Sequence, residues 1–357
     1  MSRETGVPEP ARREGEARVS PHIVGLAPSI MDVVARLSKN RLRRCLDLVG
    51  ARPGEWRRID AASSRLLMRE VLGVDPGQVL VGGDTLLPPD VAIRPGSTVA
   101  NALTVMPSRA DLRRSFVSTV GIRDGRLDPL SEAFRSAMAA VGIEHHAVPV
   151  TGDNPVVFVL SGHDDAERAL AMFPGVADDL VEFDLDGLAP TLLLVDVYNL
   201  GHHPFGQYLD RVVTGRRHQV VLSLGNHTVL TGDRADQVRR YLDEGFLTGL
   251  CGNTLEYAAL YGDVGAAADR VRAALDRVED KVPYALVTMG ADGMGVAWNG
   301  RRERVAAVPL LDEEIVNTSG AGDAAAGIFA FGIASGDPPS ETLRQAALAA
   351  ASALRRF

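Results

Sequence analysis

Residues 317–327 read NTSGAGDAAAG, a bare turn of small residues that leads to one carboxylate, Asp323. The apolar run AAAGIFAFGIA follows and predicts a buried helix. Gly320 and Gly322 let the backbone approach a ligand closely, and the N–H groups of a helix N-terminus attract anions. A carboxylate there could accept the proton of an attacking hydroxyl group. A structural role is the alternative, with Asp323 as a helix cap and the small residues allowing close packing.

The chain before this motif alternates between strand-like and helix-like segments. Strands are predicted within 115–121, 155–162, 191–198, 219–225, 246–253 and 285–290, and helices within 60–73, 128–142, 205–215, 234–245, 254–262 and 266–279. An Asn299-Gly300 hairpin precedes the motif, and two helices follow it. This alternation indicates a parallel sheet with helices on both faces, in which ligands bind at the carboxyl ends of the strands.

Composition and charge narrow the class of protein. The 357 residues are 46% hydrophobic and 24% charged, which fits one large globular domain or two smaller ones. The net charge of −8, without a basic block, argues against a nucleic-acid partner. No apolar run is long enough for a membrane span, which argues against a membrane partner.

Cysteine usage and the N-terminal segment bear on the compartment. Cys45 and Cys251 are far apart and show no ligand spacing, which is typical of a reducing compartment. Residues 1–20 are polar and lack the apolar segment of a secretory signal. We therefore expect a disordered tail and a cytoplasmic protein.

The motif at 317–327 resembles the C-terminal signature of the PfkB, or ribokinase-like, kinases, D-T-x-G-A-G-D-x-x-x-G. Weaker matches follow the family's order. PGSTVANALTVM (95–106) is similar to G-G-x-x-x-N-x-A, and STVGIRDG (118–125) to V-G-x-D-x-x-G. GNTLE (252–256) is similar to N-x-x-E, and VTMGADG (287–293) to T-x-G-x-x-G. Together the resemblance covers about residues 22–357.

This resemblance implies a three-layer α/β/α sandwich with a central, mostly parallel sheet and a small β lid. Residues 21–357 would form the kinase domain, with lid segments within about 28–60 and 115–165. The family transfers phosphate from ATP, with a divalent cation such as Mg²⁺, to a primary alcohol. Whether a monovalent cation is needed, and whether the chain is a monomer or a homodimer, stays open.

Functional positions of the family carry over where the motifs match. Asp323 matches the catalytic base, and Gly320, Ala321 and Gly322 match the anion hole for the γ-phosphate. Asn253 and Glu256 match the pair that organises magnesium and the phosphates through water. Contact residues are also implied, namely Asn253, Thr288, Gly290 and Gly293 for ATP, and Asp32, Gly96, Ser97 and Asn101 for the acceptor.

Some of these residues have simpler explanations, and some positions depart from the family pattern. Asn253 could be a turn residue and Glu256 a first-turn helix charge, while Asp32 could cap the helix-like VVARL that follows it. Asn317 stands where the family usually has Asp, and Ser97 where it usually has the second glycine. The strand at 219–225 ends as LSLGN, where the family often has Asp.

The acceptor substrate is constrained mainly by Asp32, which could accept hydrogen bonds from two neighbouring hydroxyl groups of a ribose or another sugar. The arrangement ARLSKNRLRR…GEWRRID and the form GSTVANA most resemble the adenosine-kinase branch. They predict a nucleoside or ribosyl compound phosphorylated on its primary hydroxyl. The alternatives are a kinase for a free or unusual sugar, including one of secondary metabolism, and a binding protein that has lost catalysis.

Overall fold

The computed structural model describes residues 20–52, 55–73, 87–162, 168–262, 264, 269–315 and 320–355. The tail predicted at 1–20 lies outside these ranges except for Ser20, and Asn317 lies outside them too. Within the described ranges, no helix combines the length and the apolar character that crossing a membrane requires.

Strands and helices alternate along the chain as the sequence predicts. The strands are β1 (His22–Leu26), β2 (Met31–Leu37), β3 (Trp56–Arg58), β4 (Val91–Pro95), β5 (Arg113–Arg123), β6 (Arg126–Leu127), β7 (Glu144–Thr151), β8 (Val156–Gly162), β9 (Arg168–Phe173), β10 (Leu192–Asp196), β11 (Val220–Ser223), β12 (Gly249–Asn253), β13 (Tyr284–Thr288), β14 (Met294–Trp298) and β15 (Arg301–Val305). The helices are α1 (Lys39–Val49), α2 (Ala61–Leu72), α3 (Thr98–Thr104), α4 (Pro129–Ala140), α5 (Pro204–Thr214), α6 (Gly232–Asp243), α7 (Thr254–Leu260), α8 (Arg270–Val278), α9 (Ala321–Ser335) and α10 (Pro339–Leu354).

The described residues form two sheets, and the larger one is here called the first sheet. It has ten strands in the order β15-β14-β13-β12-β11-β10-β1-β5-β6, with β7 also paired to β5. Its centre is parallel from β13 through β1 to β7. Antiparallel strands β14 and β15 close one end, and the Asn299-Gly300 turn between them has positive φ at both residues. This turn confirms the predicted hairpin.

Both faces of the first sheet are covered. Ile23 of β1 packs into one core with α3, α4, α9 and α10, whereas its neighbour Val24 packs into the other core with α5 to α8. Successive strand residues point to opposite faces, so a strand buried on both sides contains an unbroken apolar run such as LLLV at 192–195. The α/β class and the three-layer sandwich with a mostly parallel sheet are confirmed.

The smaller sheet, here called the second sheet, has five strands in the order β3-β9-β8-β2-β4. Met31, Val33, Ala35 and Leu37 of β2 are buried in the core that contains the apolar faces of α1 and α2. The alternative interpretation of VVARL as a helix is therefore wrong, because the branched valines sit in a strand with one covered face. The predicted lid segments contain β2, β3 and β8, and a lid role for this sheet stays a prediction.

The opposite face of the second sheet, here called the open face, carries the alternate residues of the same strands. Val157, Val159, Leu170 and Met172 are only half-buried there. Trp56 of the edge strand β3 is the register partner of Leu170 and is 55% exposed. Paired residues in a sheet share a face, so Trp56 borders this apolar strip. The open face is therefore a surface that a ligand could cover.

Candidate functional site

Several of the predicted site residues surround one cavity at the carboxyl ends of the parallel strands. Asn253 ends β12, and its register partner Thr288 ends the neighbouring strand β13. Both line the cavity together with Glu256, Gly322 and Asp323. This is the edge of a parallel sheet at which ligands are expected.

Residues 320–322, the described part of the bare turn, form the N-terminus of α9, as the sequence predicts. Gly320 is the residue before the helix and has φ 87°, a conformation that favours glycine. A Cβ atom placed at Gly320 or Gly322 would meet no atom within 4 Å, so the turn borders open space. The first N–H groups of a helix have no acceptor within it. These groups and the helix dipole can together hold an anion beside Asp323.

Asp323 is joined to the N-terminal part of the chain by a hydrogen bond. The side-chain amide of Asn101 in α3 donates to Oδ2 of Asp323 at 3.0 Å. Burial raises the pKa of Asp323 to about 6, and the hydrogen bond from Asn101 works in the opposite direction. Asp323 is therefore largely ionised at neutral pH, and its pKa is close enough to neutrality for a general base.

Close packing around α3 fixes the position of Asn101. A Cβ atom at Gly327 of α9 would lie 2.1 Å from the carbonyl oxygen of Ala102, so the two helices touch at a point where only glycine fits. On the other side, a Cβ atom at Gly25 of β1 would lie 2.6 Å from Cγ1 of Val99. Asp323 and Gly327 are four residues apart and lie on the same side of α9. The last glycine of the motif thus brings α3 within reach of Asp323.

A buried arginine joins the far end of α3 to the neighbouring helix. Nη1 of Arg114 donates to the carbonyl oxygens of Leu103 and Met106 at 3.2 Å each, and Nη2 donates to that of Val141 at 2.6 Å. These carbonyls lie at the C-terminal ends of α3 and α4, where the helix dipoles favour a cation. Arg114 therefore anchors the helix that carries Asn101.

Asn253 and Glu256 form a capping box at the start of α7. Glu256 accepts hydrogen bonds from the backbone N–H of Asn253 at 2.8 Å and from its side-chain amide at 2.7 Å. Burial raises the pKa of Glu256 to about 7, the hydrogen bond from Asn253 lowers it, and the charge of Asp323 raises it further. Asn253 thus caps the helix and Glu256 is a charge in its first turn, as the simpler explanations propose. Glu256 also lines the cavity.

The predicted acceptor residues meet where β2 and β4 pair. A Cβ atom at Gly96 would lie 2.1 Å from Oδ1 of Asp32, so the absence of a side chain there makes room for the carboxylate. Asp32 lies within β2 on the open face, and it does not cap a helix. Burial raises its pKa to about 7, Arg94 lowers the pKa, and the charge of Asp323 raises it.

Ser97 keeps the backbone conformation that its motif position usually gives to glycine. Its φ is 71°, and its hydroxyl caps α3 by accepting a hydrogen bond from the backbone N–H of Ala100 at 3.5 Å. A non-glycine residue in such a conformation is strained by about 1–3 kcal/mol. The substitution of serine for glycine therefore preserves the local geometry at the cost of strain, four residues before Asn101.

Gly290 and Gly293 follow β13 and do not line the cavity. Both have positive φ, and a Cβ atom at Gly293 would lie 2.1 Å from the carbonyl oxygen of Val305. Close packing of the turn between β13 and β14 is therefore by itself a sufficient reason for glycine at position 293. Contact of these two glycines with ATP stays a prediction.

Asp196 is a buried acid, electrostatically linked to Asp323, that the sequence interpretation missed. It ends β10, is 2% exposed, and accepts a hydrogen bond from the side-chain amide of Asn199 at 2.6 Å. Burial raises its pKa to about 7, and the charge of Asp323 raises it further. The signal was present in the sequence, since TLLLVD places a single acid at the end of an otherwise apolar buried strand.

Four carboxylates are thus electrostatically linked, because the charge of Asp323 raises the pKa values of Asp32, Asp196 and Glu256. Their charges repel one another and are partly withdrawn from water, which raises every pKa in the group. Bound cations or hydroxyl donors would relieve that repulsion. The described residues include no group of three or more His, Cys, Asp or Glu side chains that could hold a metal ion directly.

Comparison with known proteins agrees with this architecture. A family model described as pfkB family carbohydrate kinase matches residues 115–357. Adenosine kinase from Sinorhizobium meliloti has a similar structure, with 20% identity, a TM-score of 0.73 and coverage of 95% of each chain. A probable sugar kinase from Rhizobium etli is similar, with 17% identity, a TM-score of 0.73 and coverage of 95% of this chain and 94% of the other.

Ribokinase from Thermotoga maritima is a further structural relative, with 18% identity, a TM-score of 0.60 and coverage of 94% of each chain. No curated protein sequence matches the chain. At these identities the solved structures establish the shared fold and leave the acceptor substrate open.

Proposed function

We propose that this chain, which belongs to the pfkB family of carbohydrate kinases, transfers the γ-phosphoryl group of ATP to a primary hydroxyl of a nucleoside or ribosyl compound. The family assigns it as a phosphotransferase with an alcohol group as acceptor. The observation that carries the proposal is the carboxylate of Asp323, held by Asn101 beside the backbone N–H groups that begin α9.

In the proposed reaction, Asp32 and Asn101 position the acceptor, and Asp323 takes the proton of its primary hydroxyl group. The hydroxyl oxygen forms a bond to the γ-phosphorus while the bond between the γ-phosphorus and the bridging oxygen of ADP breaks. The N–H groups of the turn at 320–322 stabilise the negative charge that spreads over the transferred phosphoryl oxygens. The products are ADP and a phosphate monoester, and Asp323 then releases its proton to solvent.

Asn253 and Glu256 suit the water-mediated handling of Mg²⁺ that the family resemblance implies. The Glu256 carboxylate is buried, faces the cavity, and retains acceptor capacity beyond its two hydrogen bonds to Asn253. Mg²⁺ keeps several waters and is usually held by few protein oxygens and the substrate phosphates. When bound, it would neutralise the charge of the ATP phosphates.

The open face favours a nucleoside over a free sugar. A sugar bound at Asp32 would leave the apolar strip of Val157, Leu170 and Met172 in water, together with the exposed indole of Trp56. A planar base attached to that sugar would cover the strip and remove apolar area from water. Structural relatives include both an adenosine kinase and a ribokinase, so a free-sugar kinase is the second candidate.

A substrate panel tests the proposal directly. ADP formation is measured with ATP and Mg²⁺ against adenosine, other nucleosides, ribose and a set of free sugars, and the phosphorylated product is identified by mass spectrometry. We expect a nucleoside or ribosyl compound to give the highest kcat/KM, and the Asp323→Asn variant to give almost no product. If free sugars alone are phosphorylated, the second candidate is correct. If the wild-type protein phosphorylates no acceptor, the fold has been kept for binding.

A further inference from the structure

Arg94 is placed beside the acceptor carboxylate by strand pairing. Strands β2 and β4 are antiparallel, and Arg94 is the register partner of Asp32. Directly paired residues of antiparallel strands point to the same face, with Cβ atoms about 4.5–5.5 Å apart. Arg94 therefore belongs to the open face, next to the position at which the acceptor is proposed to bind.

Arg94 is a half-buried residue and, among the described residues, it has no acidic partner. Its charge lowers the pKa of Asp32, yet the two side chains form no ion pair within 4 Å. Across the described part of the chain, no side chain or carbonyl accepts a hydrogen bond from Arg94. By contrast, Arg44 of α1 forms an ion pair with Glu70 at 2.9 Å. A guanidinium has five donors, and those of Arg94 are therefore available to a ligand.

The local charge of the open face is opposite in sign to that of the chain. Arg36, Arg58 and Arg94 all belong to this face by the register of β2, β3 and β4, while the chain as a whole has a net charge of −8. Arg58 is balanced by Asp178 at 3.3 Å, and Arg36 is exposed to solvent. Among the described strand residues of this face, Asp32 is the one acid.

We infer that Arg94 binds an anionic group of the acceptor, a carboxylate or a phosphate, beside the hydroxyl groups that Asp32 holds. The inference rests on the proposed function, since that function places the acceptor at Asp32. Strand β4 lies on one side of β2, whereas β8, β9 and Trp56 lie on the other. The anionic group therefore belongs to the sugar part of the acceptor, on the side away from any base that covers the apolar strip.

The γ-phosphate of ATP offers the same chemistry, because it too is an anion that a guanidinium can bind in bidentate fashion. The position of Arg94 favours the acceptor, since it pairs with Asp32 across two strands of the second sheet. The cavity that contains Glu256, Thr288 and Asp323 is instead built from the first sheet and α9. The two anions can be distinguished experimentally, because an Arg94 variant should change the kinetics of the acceptor in one case and of ATP in the other.

The test uses pairs of acceptors that differ in one anionic group. Suitable pairs are glucose with gluconate, ribose with ribonate, and adenosine with adenosine 2′- or 3′-monophosphate, each of which keeps a free primary hydroxyl. We expect the wild-type protein to have the higher kcat/KM for the anionic member of at least one pair. Arg94→Ala should reduce kcat/KM for the anionic member by about tenfold or more, as expected for the loss of a charge-assisted hydrogen bond. It should change kcat/KM for the neutral member by less than about threefold.

Two further variants make the result specific. Arg36→Ala removes another cation from the same face, four residues from Asp32 along β2, and should leave both members of each pair unchanged. Arg94→Lys keeps the charge without the planar fork and should recover part of the preference.

Two outcomes would overturn the inference. One is a wild-type protein with no preference for any anionic member, and the other is an Arg94→Ala variant whose main defect is a raised KM for ATP. Calorimetric titration of the same compounds without ATP gives a readout that does not depend on catalysis. Equal binding of both members by the wild-type protein would overturn the inference there too. The proposed function is judged separately, by whether the wild-type protein transfers phosphate to the neutral members.

Discussion

Replacing Asn101 by leucine should move the acid side of the pH–rate profile to higher pH. The side chain keeps a similar size and loses the amide that donates to Oδ2 of Asp323 at 3.0 Å. That hydrogen bond stabilises the ionised carboxylate, so its loss raises the pKa of Asp323. A general base acts only when deprotonated, and activity therefore disappears at a higher pH in the variant than in the wild-type protein.

The size of this shift follows from the energy of one hydrogen bond. A hydrogen bond to a charged group contributes about 1.5–3 kcal/mol, and one pKa unit corresponds to about 1.36 kcal/mol. Starting from a pKa of about 6, the carboxylate of Asp323 should titrate about 1–2 units higher in the variant. The loss of kcat should thus be large at pH 6 and should diminish as the pH rises towards 9.

The assay is kcat measured across this pH range with saturating ATP, Mg²⁺ and the best acceptor of the panel. Thr104→Val is the matched control, because Thr104 lies one turn further along α3 and donates only to the carbonyl oxygen of Asn101. The control should keep the wild-type profile. If Asn101→Leu lowers kcat by the same factor at every pH, Asn101 contributes to positioning alone and does not tune the base.

Other variants test the remaining carboxylates. Asp323→Asn should reduce kcat by about 10²–10⁴-fold and keep ATP affinity, measured by calorimetry, and turnover within a few-fold of wild type would exclude Asp323 as the base. Glu256→Gln should raise the Mg²⁺ concentration required at fixed ATP more than it changes the KM of the acceptor, and an unchanged Mg²⁺ titration would leave Glu256 only its capping role. Asp32→Ala should weaken acceptor binding by at least about tenfold and barely affect ATP binding, whereas a fall in melting temperature alone would make Asp32 structural. Asp196→Asn should stabilise the ligand-free protein by up to about 2–4 kcal/mol at pH 8, because the folded-state pKa of about 7 lies above the ordinary value and the ionised form costs stability as the pH rises between the two values. Urea unfolding should show that gain shrinking towards pH 4, and an equal gain at both pH values would contradict the electrostatic explanation.

The features that the sequence predicts well are those with a local physical cause. The strand β10 is an apolar run and α4 has a helical period, with Asp128 capping its start. The N-terminus of α9 follows from the conformational freedom of Gly320. Each signal is complete within a few residues, so it can be found without knowledge of the rest of the chain.

The features that the sequence did not predict depend on contacts between distant segments. Asn101 and Asp323 are 222 residues apart, and nothing near either residue indicates their hydrogen bond. The alternative interpretation of VVARL as a helix fails because the alternate burial that marks β2 as a strand depends on packing against α1 and α2. Arg94 looks like an ordinary surface arginine until strand pairing places it opposite Asp32. Such information belongs to the topology of the fold.

The two tryptophans of the chain lie in different sheets and in different environments. Trp56 is on the second sheet and 55% exposed, whereas Trp298 ends β14 of the first sheet, is 9% exposed, and packs against Tyr284 and Phe329. Each sheet therefore carries its own fluorophore, and their emission should differ in wavelength because one indole is in water and the other in an apolar core. Replacing Trp298 by phenylalanine would leave Trp56 as the single reporter of the open face. Acceptor binding and the unfolding of the second sheet could then be followed optically in that variant without a label.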